Sequence, residues 1–145
     1  MSLNRNAFGG LAIVFLAGLA VGRMLPSPVA HAQGDRRVFE LRTYTAPEGK
    51  LPELQARFRN HTMRIFNKHN MTSVGYWVPQ DAPNSQNTLI YMLAHPSRDA
   101  AKKNWADFQA DPEWQKVSAE SQVNGRIVSK VESVFMDATD YSPIK

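Results

Sequence analysis

The stretch that decides the fold is residues 37–44, RVFELRTY. Phe39, Leu41 and Thr43 alternate with Val38, Glu40, Arg42 and Tyr44, the period-two spacing of a strand. One face is mainly apolar; the other carries a carboxylate, a guanidinium and a phenol. The reading that follows is that the rest of the chain covers the first face and finds a use for the second.

Upstream of this strand the chain is different in kind. Asn4 and Arg5 precede an apolar run over residues 7–21, and a small-residue pattern follows at Ala30-His31-Ala32. A basic start, a short apolar core and an A-x-A site make the order of a secretory signal peptide. Cleavage after Ala32 leaves 113 residues that begin at Gln33, and His31 departs with the leader. The alternative is an uncleaved anchor over residues 7–25. Arg23 interrupts that run and Pro26 and Pro28 end it, at about the minimum length for a span. Both readings place the domain outside the cytoplasm, secreted or periplasmic, with the membrane touched only through the N-terminal segment.

At 145 residues the chain holds one ordinary domain plus this appendage. It contains no cysteine. An exported domain without disulfides is stabilised by its core or by a partner, and thiolate zinc or iron–sulfur sites are excluded. The formal charge of +4 includes Arg5 and Arg23; the remainder is 15 basic against 13 acidic side chains. That is an ordinary solvated surface, without the basic stripe and exposed aromatics of a nucleic-acid binder.

Working downstream, residues 33–36 form a polar lead-in, and 45–50 carry the Pro47 and Gly49 of a turn. A helix is predicted from Leu51 to about Asn70. Leu54, Phe58, Ile65 and Phe66 lie on one face, with Arg57, Arg59, Arg64 and Lys68 on the wetter sides. A second strand covers residues 71–78. It sets Thr72, Val74, Tyr76 and Val78 against Met71, Ser73, Gly75 and Trp77. Residues 79–87 are a loop by composition. TLIYMLAH, residues 88–95, is apolar on both faces and reads as a central strand. Ser97 caps a second helix whose buried side is Ala101, Trp105 and Phe108. Asp111-Pro112-Glu113-Trp114 starts a further helix, with Pro at the first helical position, running to about Glu120. A last strand over residues 127–136 and a polar tail, 137–145, finish the chain.

The order β-α-β-β-α-β predicts an α+β fold of ferredoxin-like, split-βαβ type with an antiparallel sheet. Both helices of that arrangement cover one sheet face. Apolar residues on both faces of the second, third and last strands leave the other face for a second copy. The expected assembly is a homodimer, sheet to sheet, closing toward a barrel.

The residues also resemble a known family. Phe39-Glu-Leu-Arg-Thr-Tyr44, the Gly49-Lys50 turn, the helix containing Phe58, Gly75-Tyr-Trp77 and Asp111-Pro-Glu-Trp114 are similar to the NIPSNAP family, in that family's order. The resemblance covers residues 37–136, which bounds the expected domain. It implies a dimeric α/β barrel of ferredoxin-like subunits and no settled chemistry. Proteins sharing that barrel include cofactor-independent monooxygenases, haem-degrading enzymes and stress-responsive proteins.

Candidate site residues fall into three groups. Glu40 and Arg42 share a strand face, two residues apart, with Arg42 as a fork-shaped donor to an anionic or oxygenated ligand; paired with each other, they are structural. His61, Arg42 and Tyr76 are the candidates for a general base and polarising donors. His61 and His69 stand about 12 Å apart by helical rise and cannot share a metal ion. Tyr91 and His95 are candidate ligand contacts, and His95, at a strand end, is the better haem ligand if a pocket surrounds it. Tyr76, Trp77, Tyr91 and Trp105 line an apolar pocket or fill the core. No metal site or Gly-rich phosphate loop can be assembled. The leading expectation is binding of a small hydrophobic ligand or a protein partner, with no cofactor. The alternatives are a cofactor-independent monooxygenase-like or isomerase-like enzyme and a haem-binding protein.

Overall fold

The computed structural model describes residues 37–145. The expected export segment, with His31, and the lead-in 33–36 lie outside the described residues. From β1, Val38–Thr45, the chain passes through Gly49, whose φ of +70° closes the turn. It then enters one long helix built of α1, Leu51–Arg57, a π-turn over Phe58–Thr62, and α2, Met63–Lys68. Asn70, at φ +57°, ends that helix in the left-handed conformation asparagine tolerates. β2, Thr72–Trp77, and β3, Thr88–His95, follow. Next come α3, Arg98–Ala110, α4, Pro112–Glu120, and β4, Lys130–Asp137.

The four strands form one sheet in the order β2-β3-β1-β4, with every neighbouring pair antiparallel. This is the predicted ferredoxin-like α+β topology, and β3 is internal, as its two apolar faces required. The predicted caps are also in place. Ser97 Oγ accepts from the Ala100 backbone N–H at 3.1 Å, and Asp111 Oδ1 accepts from that of Glu113 at 2.8 Å. Asp111 serves twice, since Oδ2 also meets Lys68 Nζ at 2.7 Å and His69 Nε2 at 2.6 Å, fastening the end of α2 to the start of α4.

Three expectations are corrected. The helices cover the Glu40, Arg42 and Tyr44 face of β1, not the Phe39, Leu41 and Thr43 face. Tyr44 meets the Phe58 ring at 5.9 Å, and the Arg42 guanidinium carbon lies 4.1 Å from the centre of the Trp105 ring. The reason is the register. Tyr44, Arg42 and Glu40 stand opposite Leu89, Tyr91 and Leu93 on β3, so the apolar stripe that draws the helices down belongs to β3, and the β1 charges are enclosed beside it.

Secondly, Arg57, expected on a wet side of its helix, is only 6% exposed. The π-turn that follows widens the helix by one residue, which brings Arg57 and Thr62, five apart, to the buried side together. The Thr62 hydroxyl donates to the Arg57 carbonyl at 3.3 Å.

Thirdly, the face assignment of β2 changes. The register against β3 shifts between Ser73 and Gly75. Ser73 and Tyr76 therefore share a face, and Ser73 Oγ lies 2.6 Å from Tyr76 Oη.

The core sits between the sheet and the helices. Leu51, Leu54, Phe58, Ile65 and Phe66 meet Leu89, Tyr91 and Leu93, with Phe108, Val117 and Ile127 closing the far side. Phe66 is its hub, at 5.8 Å from Tyr91, 5.5 Å from Trp105 and 5.0 Å from Phe108 between ring centres. Among the described residues no helix covers the other sheet face. Phe39 and Ala94 are buried at one end of it, while Trp77 and Val134 stay 49% and 54% exposed. Leu41, Ile90 and Met92 lie between them, half-buried. No helix among the described residues is long and apolar enough to cross a membrane.

Candidate functional site: an enclosed carboxylate beneath a basic cleft

Glu40 lies on an internal strand, opposite Leu93 on one side and Phe135 on the other, and is 1% exposed. An ionised carboxylate in such a place must be saturated with donors, and it is. Oε1 accepts from Arg42 Nη1 at 2.8 Å and from the Ser133 hydroxyl at 2.7 Å. Oε2 accepts from the Trp105 indole N–H at 2.7 Å and meets His95 Nε2 at 3.1 Å. The carboxylate only accepts, so that histidine nitrogen carries the hydrogen. Burial alone pushes the Glu40 carboxyl up. The bonds from His95, Ser133 and Trp105 and the charge of Arg42 outweigh it and bring the pKa down from 4.5 to about 2.

Above this carboxylate a cleft of about 420 Å³ opens between the start of α3 and the β1–β4 edge. Glu40 and Arg42 form its floor, and Trp105 and Phe135 supply apolar walls. Arg98, Asp99 and Lys102 stand on the first turns of α3. Arg98 stacks on Phe135, its guanidinium carbon 3.7 Å from the ring centre. With Glu40 and Asp99 set against Arg42, Arg98 and Lys102, the lining carries a net charge of +1.

Of the residues singled out from the sequence, Glu40, Arg42 and His95 come together. Their pairing is the structural alternative weighed for Glu40 and Arg42, yet the pair also floors a cleft. Tyr91 is the register partner of Arg42 on β3 and is fully buried. Tyr76 stacks on Tyr91 at 5.7 Å and borders a different cleft, of about 360 Å³, with Phe58, Met63 and Trp77. His61 is exposed on the π-turn and borders neither cleft. His95 is wholly buried, with Nε2 committed to Glu40 and Nδ1 enclosed without a partner, and it lines neither cleft, so the geometry does not favour the haem reading. Among the described residues no three His, Cys, Asp or Glu side chains gather for a metal ion.

Sequence reasoning missed Ser133, Phe135, Arg98 and Lys102. Ser133 and Phe135 stand directly across from Arg42 and Glu40, a relationship legible only once β4 is paired with β1. Arg98 and Lys102, one turn apart, read as an ordinary solvated helix face until the sheet edge is placed beside them.

A family model described as NIPSNAP matches residues 39–143. The chain belongs to the NIPSNAP family. Solved structures agree in fold. One is a NIPSNAP family protein of unknown function from Agrobacterium tumefaciens. It is 23% identical over 76% of this chain and 95% of that one, with a TM-score of 0.66. An uncharacterized NIPSNAP-like domain protein from Burkholderia xenovorans is 17% identical over 74% of this chain and 90% of that one, with a TM-score of 0.65. A more distant neighbour is SnoaB, a cofactor-independent oxygenase from Streptomyces nogalater. It is 16% identical over 74% of this chain and 98% of that one, at a TM-score of 0.50. No curated protein matches the chain. At these identities the NIPSNAP structures and SnoaB share the fold with this protein, and the site has to be read from its own residues.

Proposed function

We propose that this NIPSNAP domain is an exported homodimer whose α3–sheet cleft binds a small organic anion with a flat apolar body. The observation that carries the reading is an imbalance of charge. Glu40 is consumed by four donors, while Arg98 and Lys102 above it take part in no ion pair among the described residues. A carboxylate or similar group would sit against those two cations and the positive end of α3. The Trp105 and Phe135 rings would cover its apolar part. This narrows the hydrophobic ligand expected from the sequence to an amphipathic one.

Export rests on the order of the first 32 residues, and dimerisation on the uncovered apolar sheet face. SnoaB, which is similar in fold, is a cofactor-independent oxygenase, and such an activity is the alternative. It needs a base in reach of substrate. Glu40, with a pKa of about 2, is a poor proton acceptor, and His61 faces solvent. Binding is therefore the better-supported reading.

The test is calorimetric titration with benzoate and with benzamide. Benzoate is expected to bind and the amide not, with affinity falling about tenfold or more in R98A/K102A. Equal binding of both, or indifference to the double substitution, would defeat the proposal. Export is checked separately by fractionating the host's cells and measuring the mass of the processed chain.

A further inference from the structure

We infer that the second cleft, at the β2 edge of the sheet, binds a single-chain aliphatic carboxylate, that is, a fatty acid. Its volume is about 360 Å³, and it lies where the first helix faces the end of β2 and the start of β3. β2 and β4 are opposite edges of the sheet, and this cleft shares no lining residue with the α3 cleft. The inference therefore stands whether or not the α3 cleft binds the ligand proposed above.

The walls and floor come from different elements. Gln55, Arg59 and Met63, spaced four apart, form one row along the helix and look across at Trp77 and Val78. Phe58, Tyr76 and Leu89 lie beneath. Phe58 and Leu89 are each 4% exposed, and the Tyr76 ring meets Phe58 edge-on at 5.9 Å. The Tyr76 hydroxyl is spent on Ser73 Oγ, 2.6 Å away, so the floor offers carbon. Above it Met63, Trp77 and Val78 stay 41%, 49% and 37% exposed. Scattered apolar side chains on a surface are ordinary, but three around one hollow mark a place where something binds. Trp77 is held there by the strand itself, since its ring lies across Gly75 in the space a Cβ would fill.

Charge defines one end of the occupant. Arg59 is the one charged residue in the lining. Its guanidinium takes part in no ion pair or hydrogen bond among the described residues. No acid competes for it from nearby in the chain, because residues 54–80 contain neither Asp nor Glu. A carboxylate there accepts a forked pair of hydrogen bonds from the guanidinium, with the Gln55 amide beside it. The remainder of the occupant meets Met63, Val78 and Leu89 and the indole of Trp77. A flexible chain suits this better than a ring system, for the aromatic faces of the floor are already taken. Tyr76 stacks on Tyr91 at 5.7 Å and stands edge-on to Phe58. What is left is mostly aliphatic, with a methionine that adapts its shape to the chain.

The test is calorimetric titration of the protein as recovered from its host, without detergent, with sodium octanoate, 1-octanol and sodium butyrate. Saturable binding of one octanoate per chain is expected. Octanol, which lacks the charge, should bind about tenfold more weakly. Butyrate, which lacks four methylenes, should bind more weakly by at least about tenfold. Arg59 is exposed, so Arg59→Gln leaves the fold intact and is expected to abolish the preference for octanoate over octanol. The R98A/K102A variant is expected to bind octanoate as the wild type does. No saturable binding, equal affinity for octanoate and octanol, indifference to Arg59→Gln, or loss in R98A/K102A would each overturn the inference. Sedimentation with phosphatidylglycerol vesicles in the absence of octanoate binding would assign the exposed side chains to a bilayer surface and overturn it too.

Discussion

Trp105 donates its indole hydrogen to Glu40 Oε2 at 2.7 Å while its ring covers the guanidinium of Arg42, 4.1 Å away. One side chain of α3 thus holds both members of the buried ion pair on β1. Trp105→Phe keeps most of the ring and removes the donor. A hydrogen bond to a charged group is worth about 1.5–3 kcal/mol, so urea denaturation should show a loss of roughly 2 kcal/mol. An unchanged midpoint would mean that the bond contributes nothing net.

The carboxylate itself sets an acid limit. The pKa of Glu40 is lowered in the folded state, from 4.5 to about 2, so the folded protein binds that proton less readily than the unfolded chain. Its contribution to stability is complete above about pH 4.5 and is lost as the pH falls toward 2. The amount is on the order of 3 kcal/mol. Stability measured by denaturant at pH 5, 4 and 3 should fall across this window, and E40Q should fall less steeply from a lower starting point.

Breaking the Glu40–Arg42 pair from one side should cost more than losing any single hydrogen bond. Arg42→Met leaves the carboxylate with three donors and no counter-charge, a change expected to cost about 3 kcal/mol. Chemical denaturation gives the value. A loss below about 1 kcal/mol would mean that the charge pairing contributes little net stability.

The uncovered sheet face should report on assembly. Val134 is 54% exposed there, across the strand pair from Leu41. If two copies meet through this face, sedimentation at micromolar concentration should give a dimer for the wild type and a monomer for Val134→Glu. A wild-type monomer would remove the dimer from the proposal.

On the same face Trp77 folds back over Gly75. A Cβ on residue 75 would lie 2.5 Å from the indole ring, closer than atoms approach, so Gly75→Ala must push the ring away. Trp77 is half-exposed and can swing outward at a cost of about 1 kcal/mol or less. The expected signature is a red-shifted tryptophan emission with little change in Tm. An unshifted spectrum would mean that the backbone moved instead.

What could be read from the chain was whatever depends on short-range pattern. The bounds of β3, the Ser97 and Asp111 caps, the Asn70 stop and the order of elements each follow from residues within a few positions of one another. The facing of β1 could not be read that way. Its odd positions look like core, yet the helices settle on the even ones because Leu89, Tyr91 and Leu93 lie alongside. Glu40 and Arg42 were legible as an unusual pair, but their partners Trp105 and Ser133 are 65 and 93 residues away. The parity change in β2 depends on one shifted residue between Ser73 and Gly75, and no local composition announces it. Arg57 was misplaced for a similar reason, since its burial depends on a turn of unusual width.

That turn has a consequence for comparing relatives. A helix carrying one surplus residue is, in evolutionary terms, a tolerated insertion, absorbed as a wider coil instead of a loop. A relative shorter by one position between residues 57 and 62 would run as plain α-helix and turn its counterpart of Arg57 away from Trp114. A single gap at that place in an alignment would then sort the family into chains with an inward-facing arginine and chains without one.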